Sequence, residues 1–271
     1  MGLVYAIANQ KGGVGKTTTV VNLAAYFGAR GKRVLCIDID PQGNTTTGLG
    51  IKKRSLTASS YHVLNGSAKI ADVIQQTEYE NVSIVPARDE LAGCELELSQ
   101  MEYRATRLRM QLLTCKADYD YIFIDCPPAL GLLTLNGLAA ADEIIVPRTA
   151  EFYALEGLSQ LMTTMKAVRA NLNPSLKIAG ILFVMFDPRL NVSRQVEEEV
   201  AKYFPNQIFR TKIPRNVRLS EAPSYGKPVM YYDKNSKGAE AYAELGMELL
   251  GETPPPKEKK RFQLFHRKNK N

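Results

Sequence analysis

Along the chain, short runs that are apolar at nearly every position alternate with longer stretches in which apolar residues recur every three or four places. The short runs are Leu3–Ala8, Arg33–Asp38, Val82–Pro86, Tyr121–Asp125, Glu143–Pro147, Ile178–Met185 and Gln207–Thr211, and most are rich in Val and Ile. A strand covered on both faces reads this way, so the pattern predicts a parallel sheet buried between helices. The first helical stretch shows the other period: Val20, Leu23, Ala24 and Phe27 fall at i, i+3, i+4 and i+7, one stripe of a helix, and Gly31 stops it. Strand–helix alternation of this kind predicts an α/β fold, a doubly wound, mostly parallel sheet flanked by helices. No internal repeat is visible. Pro254-Pro255-Pro256 cannot continue a helix expected to end near Leu250. The expected division is therefore a main domain over 1–251 and a Pro-rich, then basic, tail over 252–271.

Charge separates these two parts. The 271 residues carry net +7, yet residues 252–271 hold seven Lys/Arg against Glu252 and Glu258, which is +5. The remaining 28 basic and 26 acidic residues leave only +2, so a basic surface on the main domain must come from clustering. Four cysteines (Cys36, Cys94, Cys115, Cys126) without a Cys-x-x-Cys pair read as reduced core thiols of a cytoplasmic protein. With only His62 and His266, a histidine zinc site or a Ser-His-Asp triad is excluded as a working reading. No signal peptide precedes the strand at Leu3, Ala6 stands where myristoylation wants Ser or Thr, and no apolar run approaches a membrane span.

Chemistry concentrates in "NQKGGVGKTTT", Asn9 to Thr19. Gly15-Lys16-Thr17 closes the phosphate-loop pattern, but Gln10 stands where the first glycine belongs, and Gly12 and Gly13 take over the close backbone approach. A strand precedes the loop and an amphipathic helix follows, so backbone N–H groups and the positive helix end face a phosphate. Lys16 would reach the β- and γ-phosphates of ATP, and the Thr17 hydroxyl would bind Mg2+. Such a loop needs an acidic residue at a neighbouring strand end to hold the magnesium shell, and "YIFIDCPP" supplies Asp125. In "CIDIDPQGNTTTGLG", alternation places Asp38 and Asp40 on one side of a strand end, before a Gly- and Thr-rich stretch expected to be a loop able to move when the γ-phosphate is lost. A carboxylate there can orient the attacking water, since phosphoryl transfer needs positioning more than a strong base. Lys11 is a second lysine in the loop; read alone, it fits a solvated surface residue.

The stretches "KGGVGKTT", "IDIDPQGN" and "YIFIDCPPALG" together resemble the deviant P-loop ATPases of the ParA/MinD group. "EFYALEGLSQL" and "IPRNVRLSEAPSYGKPV" narrow the resemblance to Soj-type ParA chromosome-partitioning proteins, over about Leu3 to Leu250. It implies an ATP-driven homodimer sandwiching two nucleotides, with Lys11 reaching the partner's phosphates and Gly12 where two subunits pass too close for a side chain. It implies that Lys11, Gly12, Gly13, Val14, Gly15, Lys16, Thr17 and Thr18 hold the nucleotide, that Asp40 positions water, and that Pro214 and Asn216 lie beside the adenine. Glu151 would approach the partner's nucleotide. Non-specific DNA binding would use Arg189 and Arg218, against a local pair with Glu221 for Arg218 and plain solvation for Arg189. A ParB-type centromere-binding protein would stimulate hydrolysis, and the protein would gather on the nucleoid. The main rival is a MinD-like positioning ATPase anchored to membrane through the tail, where Phe262, Leu264 and Phe265 sit among basic residues. DNA contact or no specific role are the tail's other readings. A nitrogenase-iron-protein-like carrier would need two bridging cysteines, and Cys94 and Cys126 lack the glycine-rich surroundings expected.

Overall fold

The computed structural model describes residues 2–151 and 154–253, and of 154–157 the backbone alone. The tail readings on Phe262, Leu264 and Phe265 lie outside the described residues. Eight strands form one sheet: β1 (Leu3–Ile7), β2 (Val34–Asp38), β3 (Gln75–Gln76), β4 (Val82–Val85), β5 (Tyr121–Asp125), β6 (Glu143–Thr149), β7 (Lys177–Phe186) and β8 (Ile213–Pro214). Their spatial order is β3-β4-β2-β5-β1-β6-β7-β8. Every pairing is parallel except the short edge pair β3–β4. The central strands are buried on both faces, which is why they read as unbroken apolar runs.

Two apolar layers follow from the alternation of side chains. Val4, Ala6, Leu35, Ile124 and Ile144 pack with Leu133 and Leu138 of helix Leu132–Ala140 and with Leu161 and Met165 of helix Ala154–Asn171. Tyr5, Ile7, Cys36 and Phe123 pack on the other side with Leu23 and Phe27 of α1 (Lys16–Ala29) and with Tyr242 and Leu245 of helix Lys237–Leu249. Because β1, β2 and β5 run in parallel, the residues that end them meet on one edge. Ile7 and Asp38 both stand in register with Asp125. That edge is where a ligand binds in an open sheet of this kind.

Six of the seven expected strands are present. Gln207–Thr211 is not a strand: it makes one isolated parallel bridge, Ile181 to Ile208. The Glu248 carboxylate takes the next two backbone donors, accepting from Arg210 N at 2.7 Å and Thr211 N at 2.9 Å, and the last strand forms later, at Ile213. Among the described residues no helix is long and apolar enough to cross a membrane.

Candidate active site

The phosphate loop joins β1 to α1. Gly13 and Gly15 have φ of 71° and 77°, a region in which a Cβ is strained, so glycine is what lets the backbone fold back on itself here. Gly15 precedes α1 without a side-chain cap, leaving N–H groups of the first turn free for an acceptor in the cleft. Val14 is buried and anchors the loop. Lys16 is 7 % exposed, and its Nζ lies 3.3 Å from the Lys11 carbonyl oxygen. Burial lowers its pKa, and the charges of Asp125 and Asp40 oppose that shift.

Asp125 is fully buried at the end of β5. Its Oδ2 accepts from the Thr17 and Thr45 hydroxyls, each at 2.7 Å, while its Oδ1 is buried with no hydrogen-bond partner among the described residues. Across β2–β5, Asp38 accepts from Thr46 N at 2.8 Å, from the Thr46 hydroxyl at 2.7 Å and from Asp40 N at 3.2 Å. Burial raises the pKa of both Asp38 and Asp125. Nearby carboxylates push in the same direction, Asp125 acting on Asp38 and Asp40 on Asp125. Asp40 is nearly buried and accepts from Gln42 N at 3.0 Å. It lies beyond the end of β2, so it owes its place to the turn after Asp38 and not to strand alternation.

The Gly- and Thr-rich stretch expected as a loop is a short helix, α2 (Asn44–Gly48). Its order comes from the two hydroxyls, Thr45 and Thr46, that reach Asp125 and Asp38. These threonines are the site residues that motif reading passed over; their signal was a run of hydroxyls directly after an Asp-Pro turn.

An orphaned carboxylate oxygen beside a threonine hydroxyl suits a hard divalent cation. Mg2+ accepts two protein oxygens and fills its remaining positions with water and phosphate. Among the described residues no group of three or more His, Cys, Asp or Glu side chains forms a complete metal cage. All four cysteines are free and buried, so none is placed to bridge two chains.

Lys11 stands apart from this buried cluster. Its side chain is 56 % exposed and pairs with that of Glu151, which is 60 % exposed. The pair holds the Glu151 carboxyl below its ordinary pKa. The loop under Lys11 is fixed: Lys11 N donates to Asn9 Oδ1 at 3.1 Å, and Asn9 Nδ2 donates to the Pro147 carbonyl at 2.7 Å. A Cβ on Gly12 would meet none of the described residues within 4 Å.

Beside the loop lies a cleft of about 230 Å³ lined by Gly15, Thr18, Met185, Pro214, Asn216 and Tyr242, among others. A second cleft of about 380 Å³ continues past Thr17 and Thr18 toward Asn44 and Lys227. Pro214 and Asn216 thus share a cleft with Gly15 and Thr18 of the P-loop, and Asn216 also caps the helix Val217–Glu221 by accepting from Arg218 N. Arg189 and Arg218 line neither cleft. Arg189 is forked onto Asp187, at 2.9 and 2.7 Å, and Arg218 pairs with Glu221 at 2.7 Å and Asp233 at 3.1 Å.

Comparison with known proteins gives the same picture. Residues 2–178 match the family model described as an AAA domain. The chain is 53 % identical over 249 residues to the sporulation initiation inhibitor protein Soj of Bacillus subtilis, covering 92 % of this chain and 98 % of that one. It is 51 % identical over 261 residues to the chromosome partitioning protein ParA of Myxococcus xanthus, covering 96 % and 92 %. Among solved structures, a Mycobacterium smegmatis cobyrinic acid a,c-diamide synthase with bound ATP analogue and magnesium superposes with TM-score 0.81 at 38 % identity, covering 92 % and 95 %. The septum site-determining protein MinD of Pyrococcus horikoshii, complexed with Mg-ADP, gives 0.76 at 28 %, covering 92 % and 96 %. With more than half of the aligned residues identical to Soj and ParA proteins over nearly their whole length, and with a P-loop in place at the strand edge, the chain belongs to the Soj/ParA family of chromosome-partitioning proteins.

Proposed function

We propose that this protein is a Mg2+-dependent ParA-type ATPase in which bound ATP closes two copies into a nucleotide sandwich that holds DNA without sequence preference. The observation that carries the reading is the division of labour between the two lysines. Lys16 is buried among carboxylates at its own loop, whereas Lys11 is more than half exposed and parked on Glu151. A cation held outside its own phosphate site is placed to serve another chain's, as an arginine finger does. Gly12 supports this, since none of the described residues of its own chain forbids a side chain there.

Within one site, N–H groups of the α1 start and the Lys16 ammonium bind the phosphates. Thr17 and Asp125 would hold Mg2+, which when bound would neutralise phosphate charge. Pro214 and Asn216 flank the base, and Asp40 orients the attacking water. Closure exchanges the Lys11–Glu151 pair for phosphate contacts, frees Glu151 to approach the partner's nucleotide, and excludes water. Hydrolysis removes the γ-phosphate that Lys11 holds and lets the copies part.

Arg189 and Arg218 serve DNA phosphates in this reading, exchanging exposed carboxylate partners for the backbone. Similarity to Soj and ParA supports a ParB-type partner that stimulates hydrolysis, and a cytoplasmic, nucleoid-associated protein. Residues 1–251 form the ATPase domain and 252–271 an appended tail. The test is DNA binding with ATP, ADP and no nucleotide over a salt series, beside sedimentation with anionic liposomes. ATP-dependent, salt-sensitive DNA binding is expected. ATP-dependent liposome binding without DNA binding would replace this reading with the MinD-like one.

A further inference from the structure

The carboxylate Asp125 and the helix Leu132–Ala140 are joined by the loop Cys126–Leu130 and Gly131. Two of its residues, Pro127 and Pro128, have no N–H to give, so few backbone donors remain to anchor the loop. At the near end, Cys126 N donates to the Ile7 carbonyl at 3.2 Å. At the far end, the Thr134 hydroxyl donates to the Ala129 carbonyl at 2.5 Å. The helix itself starts at Gly131, which has no side chain to cap it.

The missing cap comes from elsewhere in the chain. Glu95, on the helix Cys94–Ser99, accepts from Leu133 N at 3.0 Å through Oε1. A Cβ on Gly131 would fall 2.2 and 2.6 Å from the two Glu95 oxygens, so the carboxylate lies against the helix start in space that only glycine leaves open. A negative charge at that helix end is favoured by the helix dipole as well as by the hydrogen bond. Glu95 itself is tied to the core through its neighbours Cys94 and Leu98, both fully buried.

We infer that Glu95 is a positioning residue for ATP hydrolysis: its carboxylate clamps the far end of the loop that begins at Asp125, and so fixes the direction of the free Asp125 Oδ1. This rests on the ATPase reading above. It adds that the Mg2+ carboxylate is aimed from a helix that contributes nothing to the nucleotide site itself. Without the clamp, the loop gains freedom while the phosphate loop, built from β1 and α1, keeps its shape. Glu95→Ala should therefore separate nucleotide affinity from turnover.

The experiment compares Glu95→Ala, Glu95→Gln and Gly131→Ala with the wild type. In Glu95→Ala, amide exchange over residues 129–133 should quicken about tenfold, the size of one lost charge-assisted cap, with β1 and α1 unchanged. ATP affinity without Mg2+ should stay constant, kcat should fall, and half-maximal activation should need more Mg2+. Glu95→Gln keeps an acceptor oxygen and should recover most of both properties. Gly131→Ala leaves Glu95 in the chain but pushes its carboxylate off, and should behave like Glu95→Ala; it also serves if Glu95→Ala fails to fold. Unchanged exchange in Glu95→Ala, or faster exchange with wild-type kcat and Mg2+ response, overturns the inference. A defect in Glu95→Gln equal to that in Glu95→Ala overturns it too. The exchange measurement needs no turnover, so an inactive wild type would sink the ATPase reading and leave the clamp separately testable.

Discussion

Arg148 is a test of whether the burial seen here is energetically real. It sits near the end of β6, 3 % exposed, and among the described residues none of its three guanidinium nitrogens has a hydrogen-bond partner. The Phe183 ring lies beside it, 6.0 Å from the guanidinium carbon. Burial without a counter-charge pushes its pKa down to about 10. At 1.36 kcal/mol per pKa unit, keeping the charge there costs about 3 kcal/mol. Arg148→Met retains an unbranched chain and removes the charge, giving up a cation–π contact worth about 1 kcal/mol. The net expectation is a gain of about 2 kcal/mol, in line with buried ion groups replaced by apolar ones. For a domain of this size that raises Tm by ~4–8 °C. Thermal unfolding of the nucleotide-free protein at pH 8 measures it, with ATP affinity unchanged as the control. A fall in Tm would refute the reasoning, because it would mean that the guanidinium has an acceptor that stabilises it.

Other expectations follow from the same geometry. Lys16→Ala should abolish ATP binding by calorimetry, because it takes the only buried ammonium from among the described residues around the phosphate loop; full affinity would sink the P-loop assignment. Asp38 and Asp125 have raised carboxyl pKa values, so their contribution to stability is present below the unfolded value and is lost as pH rises through the folded ones. Tm without nucleotide and Mg2+ should therefore fall between pH 5.5 and about 8, a window above that of the depressed carboxyls Asp187, Asp120 and Glu221. A rising Tm over that range would contradict the buried pair. Arg189→Ala and Arg218→Ala should keep ATP binding and each flatten the log–log salt dependence of DNA binding by up to ~2, at about 0.9 per phosphate contact and two copies per dimer. Wild-type salt slopes in both would place the DNA surface elsewhere.

The central strands were legible because their apolar pattern is forced by helices on both faces. Gln207–Thr211 had a strand's composition, but a strand needs free backbone donors, and Glu248, distant in sequence, had taken two of them. The edge strand Gln75–Gln76 is two polar residues and offers no pattern to read. At the site, Gly15, Lys16 and Thr17 follow one another in a short motif and Asp125 ends an apolar run, and both signals are visible in a sequence. Thr45, Thr46 and Glu95 act through side chains reaching other elements, across 80, 8 and 38 positions of chain. Helix propensity would not make Asn44–Gly48 helical either; its hydroxyl contacts to Asp38 and Asp125 do.

In the proposed cycle ATP closes two copies through Lys11. Sedimentation velocity of Asp40→Ala with ATP and Mg2+ tests it most directly, since that variant should bind ATP and fail to use it. The expected result is a stable dimer with ATP, a monomer with ADP, and a monomer under both conditions once Lys11→Ala is added. A dimer of the double variant with ATP, or a monomer of Asp40→Ala with ATP bound, would contradict it.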